Sequence, residues 1–406
     1  MRLLHTSDWQ LGLARYYLDA DARARHAADR LEAVRRLGEI ARAEGAAALV
    51  VAGDVFDSNR VDGTTLRRGL DAMGSVGVPV LLLPGNHDPL DAGSVYRSQV
   101  FRAARPENVR VLDGDEPVEV APGLEVVGAA WPSRRPGADL VAALAARLDP
   151  APAGRVRVAV AHGAIAETSP DRDDPAAISL EAAERAIGEG RFHYLALGDR
   201  HSATRVAERV WYSGTPEATD FVEERPGRAL LVDLAEGGCR VEERQVGRWR
   251  FLQQAFRLAG DGDVERLAAG LEEVEEKPRA AVRLTLEGGL SLHARARLDG
   301  LLEAARERFA SVEAGAGEGG WVVLPDEVDR EALGLAGWAE RAFEALLAET
   351  EGRAAGGAGA IAGDEASRSP AGAPGRATED PGAPAPDPAI ARDALALLYR
   401  LAGPAG

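Results

Sequence analysis

The chain has 406 residues, enough to bury a full enzyme core and to form two or three domains. Its formal net charge of -17 weighs against a protein that holds nucleic acid by bulk electrostatics, and with Lys277 its one lysine in an Ala-, Gly- and Pro-rich chain, the arginine count reads as base composition rather than phosphate binding. The single cysteine, Cys239, excludes an internal disulfide framework; with no apolar run of membrane-spanning length and no signal-peptide core at the start, the expectation is a cytoplasmic protein with no membrane partner.

In chain order, Arg2–Thr6 reads as a short strand. Asp19–Glu44 is a long helical stretch with Leu31, Val34, Leu37 and Ile40 on one face. Leu49–Ala52 and Val78–Leu83 are short continuous apolar runs, as in strands covered on both faces, and Val156–Ala161 and Tyr194–Leu197 repeat the pattern. Such runs alternating with helices predict a layered α/β domain over residues 1–246. After Trp249 the pattern changes: Ala280–Leu286 alternates as a strand, Leu292–Ala310 is helical, Trp321–Leu324 is a short strand and Arg330–Glu349 a helix. These predict a small α+β cap domain over 247–350. A Gly-, Ala- and Pro-rich stretch without periodicity predicts a disordered linker over 351–388. A C-terminal amphipathic helix over 389–406 closes the chain, with Asp387 as N-cap, Pro388 at its first position, Ile390, Ala394, Leu397, Leu398 and Leu401 on one face, and Gly403 as its stop. A helix on a long tether suits a partner chain, and an amphipathic face equally suits its own domain.

Five segments carry metal-capable side chains, each at the end of a predicted strand: Ser7-Asp8-Trp9-Gln10, Gly53-Asp54-Val55-Phe56-Asp57, Gly85-Asn86-His87-Asp88, Ala161-His162-Gly163 and Gly198-Asp199-Arg200-His201. Open α/β sheets place their sites beyond the carboxyl ends of strands. Two divalent cations about 3.5–4 Å apart need a shared ligand, and a carboxylate such as Asp54 has two oxygens to share. Imidazole nitrogens and an amide oxygen complete the shells without overcharging the site. Each segment alone has a plainer reading: Asn86-His87-Asp88 as a Gly-rich turn, Asp54 as a helix N-cap, His162 as a buried core histidine. Five of them in order at strand ends point to a metal site. His5 and His193 read as structural, His26 and His293 as residues of solvated helix faces or helix starts.

The order of these motifs resembles the calcineurin-like metallophosphoesterases, and His5-Thr6-Ser7-Asp8-Trp9, Gly53-Asp54-Val55-Phe56-Asp57 and Pro84-Gly85-Asn86-His87-Asp88 resemble the SbcD family, nuclease subunit of the bacterial SbcCD DNA-repair complex. Tyr212-Ser213-Gly214-Thr215-Pro216 with Asp220-Phe221 is similar to the segment closing that family's catalytic domain. The resemblance implies a four-layer α/β/β/α sandwich and a two-metal site. Asp8 and His201 would bind the first metal, Asp54 would bridge, and Asn86 and His162 would bind the second. It also implies His87 as general acid for the leaving oxygen, its protonated tautomer held by Asp57 or Asp88. Two positions depart from the family: Gln10 stands where it carries His, and Asp199 replaces the first His of its last motif. Both offer oxygen, which suits Mn²⁺ or Mg²⁺ more than Zn²⁺. The implied function is Mn²⁺-dependent DNA nuclease action in DNA end processing and repair, as a homodimer with an SbcC-like SMC-type ATPase. The rivals are a phosphodiesterase of small nucleotides or other phosphoesters and a structural subunit with a weakened metal site.

Overall fold

The computed structural model describes residues 1–114, 116–169, 171, 173–235, 237–258, 260–323, 337–350, 390–391, 394–395 and 397–398. The expected linker lies outside the described residues. The chain divides into two compact units, one of Met1–Leu252, Glu276–Val282 and Phe309–Ser311, the other of Gln253–Glu275, Arg283–Arg308 and Val312–Gly406.

The first unit holds two six-stranded sheets. One contains β1 (Arg2–Thr6), β2 (Leu49–Val51), β3 (Val80–Leu82), β4 (Val109–Val111), β11 (Arg228–Ala235) and β12 (Gly238–Gln245) in the spatial order β12-β11-β1-β2-β3-β4. The other contains β5 (Val118–Ala121), β6 (Leu124–Gly128), β7 (Val156–His162), β8 (Tyr194–Gly198), β9 (Thr204–Ala207) and β10 (Val210–Tyr212) in the order β5-β6-β7-β8-β10-β9. β1 to β4 run parallel, as do β6, β7, β8 and β10.

Strand side chains alternate between two buried faces, so each apolar run serves two cores. Leu3, Val50 and Leu81 meet Val126, Val158 and Tyr194 between the sheets. Leu4, Leu49 and Val80 face outward onto Val34 and Leu37 of α1 (Ala20–Ala43), Leu66 and Leu70 of α2 (Gly63–Gly74) and Phe101 of α3 (Gln99–Ala104). Ala159, Ala161, Leu195 and Leu197 face the other way, onto Val141 and Leu144 of α4 (Leu140–Arg147) and Ala183 and Ala186 of α5 (Leu180–Gly188). The result is the expected α/β/β/α layering. α1 begins where the sequence places it, because the Asp19 carboxylate accepts from the Ala22 amide at 2.7 Å. His26 departs from expectation. It is buried, with Nε2 2.9 Å from the Ala218 carbonyl and its ring edge-on to Trp249 at 4.6 Å, and burial holds its pKa down near 3. Segments from far along the chain cover this face of α1, which periodicity cannot register.

A third sheet, ordered β13-β14-β15, is built from β13 (Arg250–Leu258), β14 (Ala280–Leu290) and β15 (Ser311–Val323). The short strand expected from Trp321 is the end of β15, whose Gly- and Ala-rich first half carries no apolar run to announce it. Helices α6 (Asp261–Glu273), α7 (Leu292–Arg308) and α8 (Trp338–Thr350) complete the described secondary structure of the second part of the chain. The described residues of the terminal helix bury Leu395 against Leu292 and Phe343, with Leu398 packed alongside. Ile390 and Leu397 are 69% and 49% exposed, so these two members of the expected stripe face away while its Leu398 packs inward beside the buried Ala391 and Leu395. No helix among the described residues is long and apolar enough to cross a membrane.

Between the sheets, the Tyr194 hydroxyl lies 3.2 Å from His5 Nδ1, while His5 Nε2 lies 3.2 Å from the Leu197 carbonyl. Tyr194→Phe should lower stability by about 1–3 kcal/mol because His5 Nδ1 loses its partner while buried. Tyr194→Ala should cost about 3–5 kcal/mol through the cavity it leaves. Urea denaturation of the two variants checks the ranking.

Candidate metal centre

The parallel strands of both sheets point their carboxyl ends to one side, and the loops leaving them bring the five segments together. Asp8 and Gln10 follow β1, Asp54 follows β2, Asn86 and His87 follow β3, His162 is the last residue of β7, and Asp199 and His201 follow β8. One carboxylate oxygen each of Asp8 and Asp54 and one ring nitrogen of His162 lie within 4.8 Å of one another. Asn86 Oδ1 is 3.1 Å from His162 Nε2, Asp199 Oδ1 is 3.7 Å from the same nitrogen, and Asp54 Oδ1 is 3.4 Å from it. His201 Nε2 lies 3.1 Å from the Gln10 amide nitrogen and 3.8 Å from Asp8 Oδ1. The structure therefore gathers every residue that the sequence proposes as a ligand.

The backbone is strained to do this. Among the described residues, five that are not glycine have positive φ, and four of them are Asp8 (53°), Gln10 (43°), Asp54 (54°) and Asp199 (97°). Non-glycine residues in this region cost energy and gather where a site over-determines them. Close approach also demands glycine: a Cβ on Gly198 would stand 1.9 Å from the Ala52 carbonyl oxygen, and one on Gly53 would stand 2.2 Å from His162 Nδ1.

Each histidine is aimed by its second nitrogen. His162 Nδ1 donates to the Ala52 carbonyl at 2.9 Å, which leaves Nε2 facing the cluster. His201 Nδ1 is held by Glu223 Oε1 at 2.8 Å and Thr219 Oγ1 at 2.9 Å, and Thr219 Oγ1 also donates to Glu223. His87 Nδ1 donates to the Asp57 backbone carbonyl at 2.8 Å. The Asp57 carboxylate stands off at 4.0 Å, so the holding of His87 expected from that side chain is done by its main chain. Asp88 does not reach His87. Its buried carboxylate accepts from Phe56 N (3.0 Å), Gly85 N (2.8 Å) and the Tyr96 hydroxyl (2.6 Å), so it shapes the loop rather than the imidazole. Glu223, Thr219 and Tyr96 went unread in the sequence, because a ring partner 22 residues from its histidine follows no spacing rule. Asp220-Phe221 nearby was the one local hint.

Burial pushes the Asp8 carboxyl above its usual range, against the pull of His201 and His162, while Ser7 Oγ donates to it at 2.5 Å. Burial acts on Asp54 too, but the charges and hydrogen bonds of His162 and His87 outweigh it and hold that carboxyl low. Burial works against a proton on His162, yet Asp54, Asp8 and Asp199 raise its pKa well above the usual imidazole value. Two carboxylates buried this deeply call for positive charge, and a cation would displace the imidazole proton. The donor set of carboxylate oxygens, an amide oxygen and imidazole nitrogens fits divalent metal.

Residues 1–164 match the family model described as calcineurin-like phosphoesterase, and the resemblance read from the motifs holds over that stretch. The SbcD component of nuclease SbcCD from Rhodobacter capsulatus is 40% identical over 96 residues, which cover 22% of this chain and 22% of that protein. The match thus spans about a fifth of the relative's length. Among solved structures, a Thermus thermophilus protein aligns with 13% identity over 60% of this chain and 98% of its own, at a TM-score of 0.39. A dimetal phosphatase from Danio rerio aligns with 13% identity over 61% of this chain and 98% of its own, at a TM-score of 0.36.

Glu223→Ala leaves His201 Nδ1 with Thr219 Oγ1 alone and should weaken Mn²⁺ at one position by roughly 10–100-fold while sparing the other. Titration calorimetry on the metal-stripped protein separates the two. An unchanged isotherm would show that Glu223 does not serve the metal.

Proposed function

We propose that this chain hydrolyses phosphodiester bonds in DNA with two divalent cations, Mn²⁺ or else Mg²⁺, and processes DNA ends as a homodimer beside an SbcC-like SMC-type ATPase. The observation that carries the reading is the convergence of two buried carboxylates, an amide and two oriented imidazoles at one end of the paired sheets. Asp8, Gln10 and His201 would form one cation position and Asn86, His162 and Asp199 the other. Asp54 would be shared, since one of its oxygens lies within 4.8 Å of an Asp8 oxygen and of a His162 nitrogen, one from each position. When bound, the cations supply positive charge that polarises a phosphoryl oxygen and makes water more acidic.

The chain's own residues then position and protonate. His87 donates through Nδ1 to the Asp57 carbonyl, so its Nε2 is the atom free to carry a proton to the leaving oxygen. The oxygen-rich donor set added by Gln10 and Asp199 supports Mn²⁺ over Zn²⁺. The phosphoesterase family match supports the reaction class, and the Rhodobacter capsulatus relative, named as part of a nuclease, supports the substrate and the ATPase partner. The net charge of -17 favours a second reading, in which the same residues cut small phosphodiesters.

Assay of linear duplex and single-stranded DNA with Mn²⁺, with and without the ATPase, tests the reading. Cleavage is expected, stimulated by the ATPase. Turnover of a small diester with no cleavage of either DNA would favour the second reading. His87→Ala should lower turnover by roughly 10²–10⁴-fold while metal content stays intact. Metal analysis on the same sample checks this, since a lost cation would make His87 a ligand.

A further inference from the structure

A cleft of about 560 Å³ opens beside the metal centre, between the loop Leu11–Arg15 and α1, with Thr65 and Arg68 of α2 on its wall. Arg15, Arg23, Arg30, Arg35 and Arg68 line it, and no carboxylate is among its described lining residues. Composition sets how many arginines the chain carries, but it does not gather five in one cleft. Arg30 is 3% exposed. Its Nη1 donates to the Trp9 and Gln10 carbonyls at 2.7 and 2.8 Å, which ties the cleft to the loop of the metal centre. Its Nε and Nη2 are buried without a hydrogen-bond partner among the described residues. A guanidinium with two orphaned donors is costly to bury unless an anion meets it. Burial lowers its pKa only to about 10, so it keeps its charge at neutral pH. Arg15 is engaged by the Thr219 carbonyl and Asp220, and Arg35 by Glu32. Arg23 and Arg68 form no ion pair among the described residues. Tyr16, next in the chain to Arg15, is 85% exposed.

We propose that this cleft is a second anion site that holds a backbone phosphate of a polynucleotide, away from the phosphate being cut. The inference rests on the phosphodiesterase reading and deepens it: a small diester has one phosphate, which the metal centre takes, so a second site serves only a longer polyanion. Arginine forks suit phosphate oxygens, and an exposed ring beside a basic groove suits a stacked base. The net charge of the whole chain does not oppose this, because screening confines exposed charges to about 8–10 Å.

Anisotropy of a labelled single-stranded oligonucleotide in EDTA tests the cleft without metal. Arg23→Ala with Arg68→Ala should weaken binding by roughly tenfold and flatten the logarithmic salt dependence by about 1.4. Tyr16→Ala should weaken it by roughly fivefold or more with the salt slope unchanged. The double variant should keep its thermal unfolding midpoint and its Mn²⁺-dependent turnover of bis(p-nitrophenyl) phosphate. Unchanged oligonucleotide affinity and slope in that folded variant would overturn the proposal, as would loss of small-diester turnover, which would place these arginines in the metal centre. Oligonucleotide binding through the cleft by a chain that hydrolyses no diester would instead sink the phosphodiesterase reading alone.

Discussion

The hydrogen bond from His162 Nδ1 to the Ala52 carbonyl joins the two sheets at the end where all the chemistry lies. It fixes the tautomer of one proposed ligand and sets the distance between β7 and β2. The glycines at 53 and 198 follow from it, since a methyl group at either would collide with the ring or with that same carbonyl. The left-handed turns at Asp8 and Asp54 follow as well. Each loop must reverse within a residue or two of its strand to bring its carboxylate beside His162 without opening the interface between the sheets.

That geometry creates an electrostatic debt. Asp8 and Asp54 are buried close together, and with Asp199 they draw the His162 pKa up against the effect of its burial. A divalent cation would answer that debt. The glutamate behind His201 and the carbonyls behind His162 and His87 do a different task. They hold three rings in orientation, so that each presents Nε2 to the same small volume.

The second part of the chain shows how far a periodic pattern can mislead. Ile390, Leu397 and Leu398 read as one apolar stripe, yet Leu395 is the residue buried with Leu292 and Phe343, and of those three only Leu398 packs beside it. A short amphipathic helix offers two overlapping apolar arcs, and its neighbours choose between them. β15 was half hidden for the opposite reason: glycine and alanine supply no alternation to count, and its pairing with β14 makes it a strand.

The sequence by itself determined the layers and the segments that meet at the strand ends. Continuous apolar runs ending in Asp, Asn or His are local features, and strand direction alone carries those ends to one side of a parallel sheet. Asp19 capping α1 was legible for the same reason, since a cap and its helix are neighbours in the chain. Tertiary structure alone decided what stands behind the side chains of the cluster and its loops: Glu223 on His201, Tyr96 on Asp88, and the Asp57 main chain rather than its carboxylate on His87. It also decided that His26 is buried and that five arginines share one cleft. These depend on which segments pack together, and a hydrogen bond or a charge cluster formed across 8 to 192 residues has no period for a sequence to display.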